Sequence, residues 1–382
     1  MAAGKGRGGD GKAGIIPSTV AALALVKASR EISTDRTASA PDDADRAPRF
    51  EPVPEPEGGV KKLVWRFDRF QREHVVLAFP IAVFKKFGQD KGAFLAALVA
   101  YFGFFSVFPL MMAFTSVVGF VVDDPDDQQR LADEAANQIP VVGSVIQDNA
   151  GTLEGSVWVV VIGLAVALWS GLRIVDAMQN SMNTVWDMPP YARPNTAERR
   201  LRSFAMLFLL GGGIISSIIV SSLATYVDVI PGAGKAAIWA GSAAVSIIVF
   251  WLAYQLLTDM EIPWMRLLPG AIVGGLCWWG LQTFGSPLIS RQQQGAGDTY
   301  GPFAAIIALL FFLYLAALLS ILAAEISVVS YRKLWPRSLV KGDFTDADIA
   351  AFELAAASTR QDPQYEVVLR PPTGEPEAPH EV

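Results

Sequence analysis

GAFLAALVAYFGFFSVFPLMMAFTSVVGFVV, from Gly92 to Val122, decides how this chain is read: about thirty consecutive residues carry no formal charge. A helix crosses the hydrocarbon core of a bilayer with roughly 20 such residues. The stretch is long enough to span with tilt or a kink, and Pro109 in its middle supplies the kink, because proline removes a backbone donor and crowds the turn before it. We expect the span to be interrupted around Ser106 to Pro109. Everything before it then reads as a tail and an approach ramp, and everything after it alternates across the membrane.

Five further charge-poor runs follow, each bracketed by charge: about Gly155 to Leu172, Ser203 to Val227, Ala236 to Thr258, Leu267 to Ser290 and Thr299 to Ala324. The composition agrees, with 52% apolar and only 18% charged residues, where a soluble domain carries about a quarter charged. The expected fold class is an all-α polytopic membrane protein with six transmembrane helices, a preceding interfacial amphipathic helix and disordered tails. Its divisions are a tail over 1–60, a membrane domain over 61–335 that includes the interfacial helix at 62–88, and a mostly disordered tail over 336–382.

Orientation follows from the basic residues, which are retained in the cytoplasm when they lie near spans. Lys61, Lys62, Arg66, Arg69, Arg72, Lys85, Lys86 and Lys91 precede the first span, whereas Arg130 stands alone among six acidic residues in the loop after it. Arg173, Arg193, Arg199, Arg200 and Arg202 fall between spans two and three, and Arg332, Lys333, Arg337 and Lys341 follow span six. The reading is a multi-pass protein of the cytoplasmic membrane with both termini in the cytoplasm.

In the ramp, Leu63, Phe67, Phe70 and Leu77 recur at helical spacing with arginines between them, which suits a helix in the lipid interface that Pro80 breaks in two. Its partners would be the bilayer and anionic lipid at the basic face; nucleic acid is not expected, and self-assembly is left open. The modest apolar run Ile15 to Val26 is interrupted by Pro17 and has no convincing cleavage site after it, so it does not read as a signal peptide. The outer loop DDPDDQQRLADE lacks the spacing of a calcium loop and reads as helix capping and solvation. Thr345 to Ala357 reads as a short helix with Asp346 and Asp348 in its first turn.

Within the spans, small residues at four-residue spacing, Gly213, Ser217 and Ser221 or Gly270 and Gly274, read as close helix packing. A charge at the bilayer centre costs roughly 2.5 to 3.5 kcal/mol on insertion scales, so ionisable groups near the spans stand out. Arg173, Asp176, Asn180, Asn183, Arg202 and Glu325 form the candidate polar cluster, joining spans two, three and six, with Arg173 pairing Asp176 and either Arg173 or Arg202 pairing Glu325. Tyr101, Ser106, Pro109, Gly213 and Ser217 are the candidate kink or path.

The ordered landmarks Ala97-Leu98-Val99-Ala100-Tyr101, Phe105-Ser106-Val107-Phe108-Pro109, Asn180-Ser181-Met182-Asn183-Thr184-Val185-Trp186, Leu268-Pro269-Gly270-Ala271, Tyr300-Gly301 and Ala323-Ala324-Glu325 resemble the YihY/BrkB family of inner-membrane proteins, long labelled ribonuclease BN. The family more often has Gly-Ala-Glu at the last of these. The resemblance covers about Lys61 to Lys333 and implies a polytopic inner-membrane protein with envelope or transport roles. The nuclease label finds no chemistry here, since RNA hydrolysis needs a metal cluster or an acid and base pair. The chain has two histidines, His74 and His380, both outside the spans. We therefore expect no catalytic residues, no metal and no cofactor. The expected function is transporter-like or envelope-associated handling of a small solute or lipid, with a scaffolding membrane protein as the alternative.

Overall fold

The computed structural model describes residues 53–121, 124, 157–224, 233–300 and 303–364, and every regular element among them is helical. α1 (Gly59–Glu73) and α2 (Val75–Gln89) lead into α3 (Gly92–Val121). After the outer acidic loop, which lies outside the described residues, come α4 (Val157–Val185), α5 (Thr196–Ala224), α6 (Ala233–Leu257), α7 (Trp264–Tyr300), α8 (Phe303–Arg332) and the short α9 (Asp346–Ser358).

The six long helices pack in a closed order: α3 against α4, α4 against α5, α5 against α6, α6 against α7, α7 against α8, and α8 back against α3. α8 also touches α2 and α4. The inner faces meet in one apolar cluster that includes Ala96, Met182, Trp186, Tyr254, Leu267 and Ile321. The outer faces carry large apolar side chains, with Phe94 at 76%, Val76 at 84% and Phe208 at 81% exposure, while Gln179, Asn183 and Glu325 are buried inside. Large apolar groups outside and polar groups inside is the arrangement of a surface solvated by lipid.

By length and apolarity Val161–Val185, Trp239–Leu257 and Ile306–Arg332 are each able to cross a membrane, and Val75–Gln89 with Gly92–Val107 meets the same test only as a bent pair, the form of a broken span or a re-entrant loop. The bend in that pair is 62°. It falls at Asp90 and Lys91, where Lys91 takes a left-handed backbone at φ 54°, a conformation that costs a residue with a Cβ roughly 1 to 2 kcal/mol.

Two expectations about proline are corrected. α3 runs helical through Pro109 without interruption. A proline there withdraws only one ladder donor, and Ser106 Oγ donates to the Gly103 carbonyl at 2.8 Å in the turn before it. Likewise Pro80 lies inside α2, and the ramp breaks instead at His74, whose backbone is extended (φ -118°, ψ 102°). Its ring Nδ1 lies 2.7 Å from the Phe70 carbonyl, where the helix's own i to i−4 bond would go. Its backbone N–H turns to the Gln71 carbonyl, and its carbonyl starts α2 by accepting from Leu77 and Ala78.

The stretch after Trp335, expected to lie mostly in a disordered tail, is packed over 336–358 by buried charge. Asp348 closes a capping box with Thr345 at the start of α9. Its carboxylate also accepts from Lys85 Nζ (2.7 Å), Arg337 Nε (2.8 Å) and the Ser338 backbone N–H (2.8 Å). Burial works to raise its pKa, and these four partners overcome that and hold it at about 2, below the ordinary 3.8. A depressed acid stabilises the fold fully above its unfolded value and loses that contribution as pH falls between about 4 and about 2. Asp348→Asn, which leaves the Lys85 and Arg337 charges short of their partner, is expected to cost about 2 kcal/mol near neutrality. Thermal unfolding in detergent checks this: the gap between wild type and Asp348→Asn should close across that acid window.

Candidate functional site

Several helix ends that carry charge gather at one end of the bundle. The α2–α3 elbow, the last turn of α4, the first turns of α5 and α7, and the final turns of α6 and α8 meet there. The structure divides the expected polar cluster into separate groups at that end.

Asn183, at the end of α4, donates through Nδ2 to Asp259 Oδ2 at 2.7 Å, and Arg202 of α5 donates to Asp259 Oδ1 at 2.7 Å and to the Thr258 carbonyl at 3.3 Å. Asp259, which follows α6, is the hub that ties α4, α5 and α6 together; its side chain is 1% exposed. Asp176 pairs with Arg200 at 3.2 Å and Arg199 at 3.8 Å, and Asn180 Oδ1 accepts from Arg193 at 3.1 Å. For the Arg202–Asp259 pair, a double-mutant cycle with alanine is expected to return a coupling of about 1 to 3 kcal/mol in detergent unfolding. A coupling near zero would mean the two residues act separately.

Arg173 does not join either group. It lies over the Trp169 ring at 5.3 Å, on the exposed side of α4. The expected Arg173–Asp176 pair is therefore replaced by pairs from α5. The expected Arg173–Glu325 and Arg202–Glu325 pairs also give way, because the first arginine faces outward and the second is held by Asp259.

The cation that acts on Glu325 is Lys86. Lys86 is 2% exposed and its ammonium is committed to Asp90 four residues on, to Asp187 at 3.1 Å and to the Val185 carbonyl at 3.1 Å. Asp187 reaches it because it ends α4 in a left-handed conformation at φ 55°. Burial pushes the Asp187 carboxyl above the usual carboxylate range, against the pull of Lys86. Glu325 itself is fully buried in α8, and neither of its carboxyl oxygens has a hydrogen-bond partner. One lysine from α2 thus stands among three carboxyl groups, brought from the elbow, the end of α4 and α8. The only local signal for this in sequence was the i, i+4 spacing of Lys86 and Asp90.

The residues of the expected path are placed on helices with different neighbours. Tyr101 is 54% exposed on α3, against the rings of Phe102 and Phe105. Ser106 is buried and Pro109 half-buried on the same helix. Gly213 of α5 meets Val249 of α6, where an added Cβ would come within 3.0 Å of Cγ2. The Ser217 side chain lies outside the described residues. Among the described residues no group of histidine, cysteine and carboxylate side chains is placed to hold a metal ion.

The model of the family described as virulence factor BrkB matches residues 83–341. That range contains Lys86, Asp90, Asp187, Asp259 and Glu325, while α1 and α9 lie outside it. The ribonuclease-like protein YfkH of Bacillus subtilis is 23% identical over 269 residues, 67% of this chain and 96% of that protein. A UPF0761 membrane protein of Azotobacter vinelandii is 25% identical over 271 residues, 67% of this chain and 64% of its own length. The inner membrane protein YhjD of Escherichia coli is 27% identical over 165 residues, 41% of this chain and 49% of that one. No solved structure matches.

Proposed function

The chain belongs to the virulence factor BrkB family, and from that premise we propose that it is a six-span protein of the cytoplasmic membrane, both termini inside, that moves a small solute or lipid between its helices. The observation that carries this reading is Glu325. A carboxyl group fully buried within an apolar helix and left without a hydrogen-bond partner is costly to keep, and ionisable groups at membrane depth mark substrate, ion or proton sites. The ion pairs on Asp259, Asp176 and Lys86 then form a closed layer at the cytoplasmic end, and transport requires them to part. Three spans on each side of the midpoint would suit a repeat architecture. Purified protein in sealed vesicles is expected to give protein-dependent flux of at least one member of a broad solute and lipid panel. No flux across the panel would overturn the reading.

A scaffolding role is the second reading, favoured by α1. Its polar face is the buried one: Asp68 accepts from the Leu339 backbone N–H at 2.6 Å, Gln71 donates to the Arg337 carbonyl at 2.8 Å, and Arg69 and Arg72 both pair with Asp343. Its apolar stripe, Val60, Leu63, Val64, Phe67 and Phe70, is exposed, beside Lys61 and Arg66. Such a stripe with basic flanks fits the headgroup boundary of an anionic leaflet. A spin label at Phe67→Cys, in a Cys277→Ser background, is expected to meet lipid-soluble oxygen; access to a water-soluble relaxant alone would remove α1 from the bilayer.

A further inference from the structure

We propose that Arg173 of α4 and Arg200 of α5 hold the phosphate headgroup of one anionic glycerophospholipid, whose chains lie along the outward stripe of α4.

Spacing builds the stripe. Ile162, Val166, Trp169 and Arg173 follow one another at four, three and four residues, so they share one face of α4, and all four are exposed. The uncharged run Val157 to Leu172 precedes Arg173 on that helix, about 24 Å of rise against a hydrocarbon core of about 30 Å. The stripe thus turns from apolar to cationic within an arginine's reach of the headgroup level. α5 repeats the pattern, with Phe208 and Phe204 exposed and Arg200 at the next step of four. The two helices lie side by side at this depth. Gly171 faces Leu207, whose Cδ2 would be 3.3 Å from an added Cβ, and Asp176 pairs with Arg200 at 3.2 Å.

Charge and donors select the occupant. Arg173 stacks over Trp169 and, among the described residues, has no carboxylate partner, because Asp176 is taken by Arg200 and Arg199. Arg199 is further committed to the Gln179 side chain and the Asp176 carbonyl. Arg200 gives Asp176 one donor and keeps a side chain 44% exposed. Glu198, the next carboxylate along α5, is held by Asn195. Three guanidinium groups therefore stand beside one carboxylate, with the open donors on Arg173 and Arg200. A guanidinium fork matches phosphate oxygens in pairs, and the excess positive charge disfavours a headgroup that carries its own ammonium.

The site rests on α4 crossing the bilayer and needs no solute movement; failed flux leaves it intact, and its failure leaves flux intact.

Fluorescence quenching tests it. The full chain with Cys277→Ser carries a fluorophore at Val166→Cys, two turns from Arg173 on the same face, in phosphatidylcholine vesicles. Dibrominated phosphatidylglycerol or dibrominated phosphatidylcholine is then titrated in. Half-quenching is expected at an about fivefold lower fraction of the brominated phosphatidylglycerol. The two midpoints should converge in Arg173→Gln and draw closer in Arg200→Gln, while Arg173→Lys, which keeps the charge and loses the fork, should retain part of the preference. The same label at Ile248→Cys, exposed on α6, should show no preference. Equal midpoints at Val166→Cys, a preference unchanged in Arg173→Gln, or the same preference at Ile248→Cys would each overturn the proposal. So would a label at Val166→Cys that neither lipid quenches, the result expected if a second copy of the chain covers the stripe.

Discussion

Lys86→Met is expected to destabilise the folded protein by about 3 to 5 kcal/mol, the range seen when one partner of a buried ion pair is removed. Lys86 is the cation between Asp90 and Asp187 and also acts on Glu325. Methionine fills its volume, so the loss isolates charge from packing. Without the ammonium, carboxyl groups buried to 8% and 4% exposure must take up protons or separate. Two consequences follow that a packing defect would not produce. Stability of the variant should recover as pH falls, because protonation removes the charge that lost its partner. Asp187→Asn introduced beside Lys86→Met should restore part of the loss, whereas alone it leaves the lysine one partner short. Unfolding in mixed detergent micelles, followed by far-ultraviolet circular dichroism, measures all three.

Gly275→Ala is expected to be nearly as damaging for a reason that involves no charge. A Cβ at Gly275 would sit 2.6 Å from Ile247 Cα and 2.7 Å from Ile247 N, both backbone atoms of α6. No side-chain rotation relieves that approach, so α6 and α7 must move apart. Overpacking of this kind costs typically 1 to 3 kcal/mol, and more where backbones collide. Gly270→Ala should behave alike on the other side of α7. Its Cβ would meet the Ala323 carbonyl oxygen at 2.3 Å and Ser327 Oγ at 2.5 Å, displacing the hydroxyl that Gly270 N–H donates to at 2.9 Å. The control is Gly212→Ala, where nothing lies within 4 Å; it should be neutral or stabilising by up to about 1 kcal/mol. Equal losses at Gly275 and Gly212 would mean that close approach does not hold α7 in place.

What was legible before the structure was whatever one helix decides alone. The long apolar run that begins at Gly92 does form a long helix, α3. Gly270 and Gly274 at four-residue spacing do mark the places where α7 comes against α8 and α6. Asp348 in the first turn after Thr345 does form a cap. The pairings were hidden because they depend on the register between helices. Lys85 and Lys86 are neighbours and look alike as charges, yet successive residues on a helix point about 100° apart. One therefore reaches Asp348 and the other Asp187, residues separated from them by more than a hundred positions. Asp259 looked like a charge that merely ends a span, and it is instead the shared partner of Asn183 and Arg202. Pro80 and Pro109 were read as breaks. Each removes one donor from a helix that continues past it, and the breaks fall at His74 and Lys91, where side-chain competition and a left-handed backbone end the ladder.

The position of the charged end relative to the membrane underlies the transport reading, and one labelling measurement addresses it. In a Cys277→Ser background, single cysteines at Asp124, Tyr191 and Lys341 are treated with a membrane-impermeant maleimide before and after lysis of cells. With six spans and both termini inside, Asp124→Cys labels in intact cells, while Tyr191→Cys and Lys341→Cys label only after lysis. Labelling of Lys341→Cys in intact cells, or protection of Asp124→Cys until lysis, would contradict that topology.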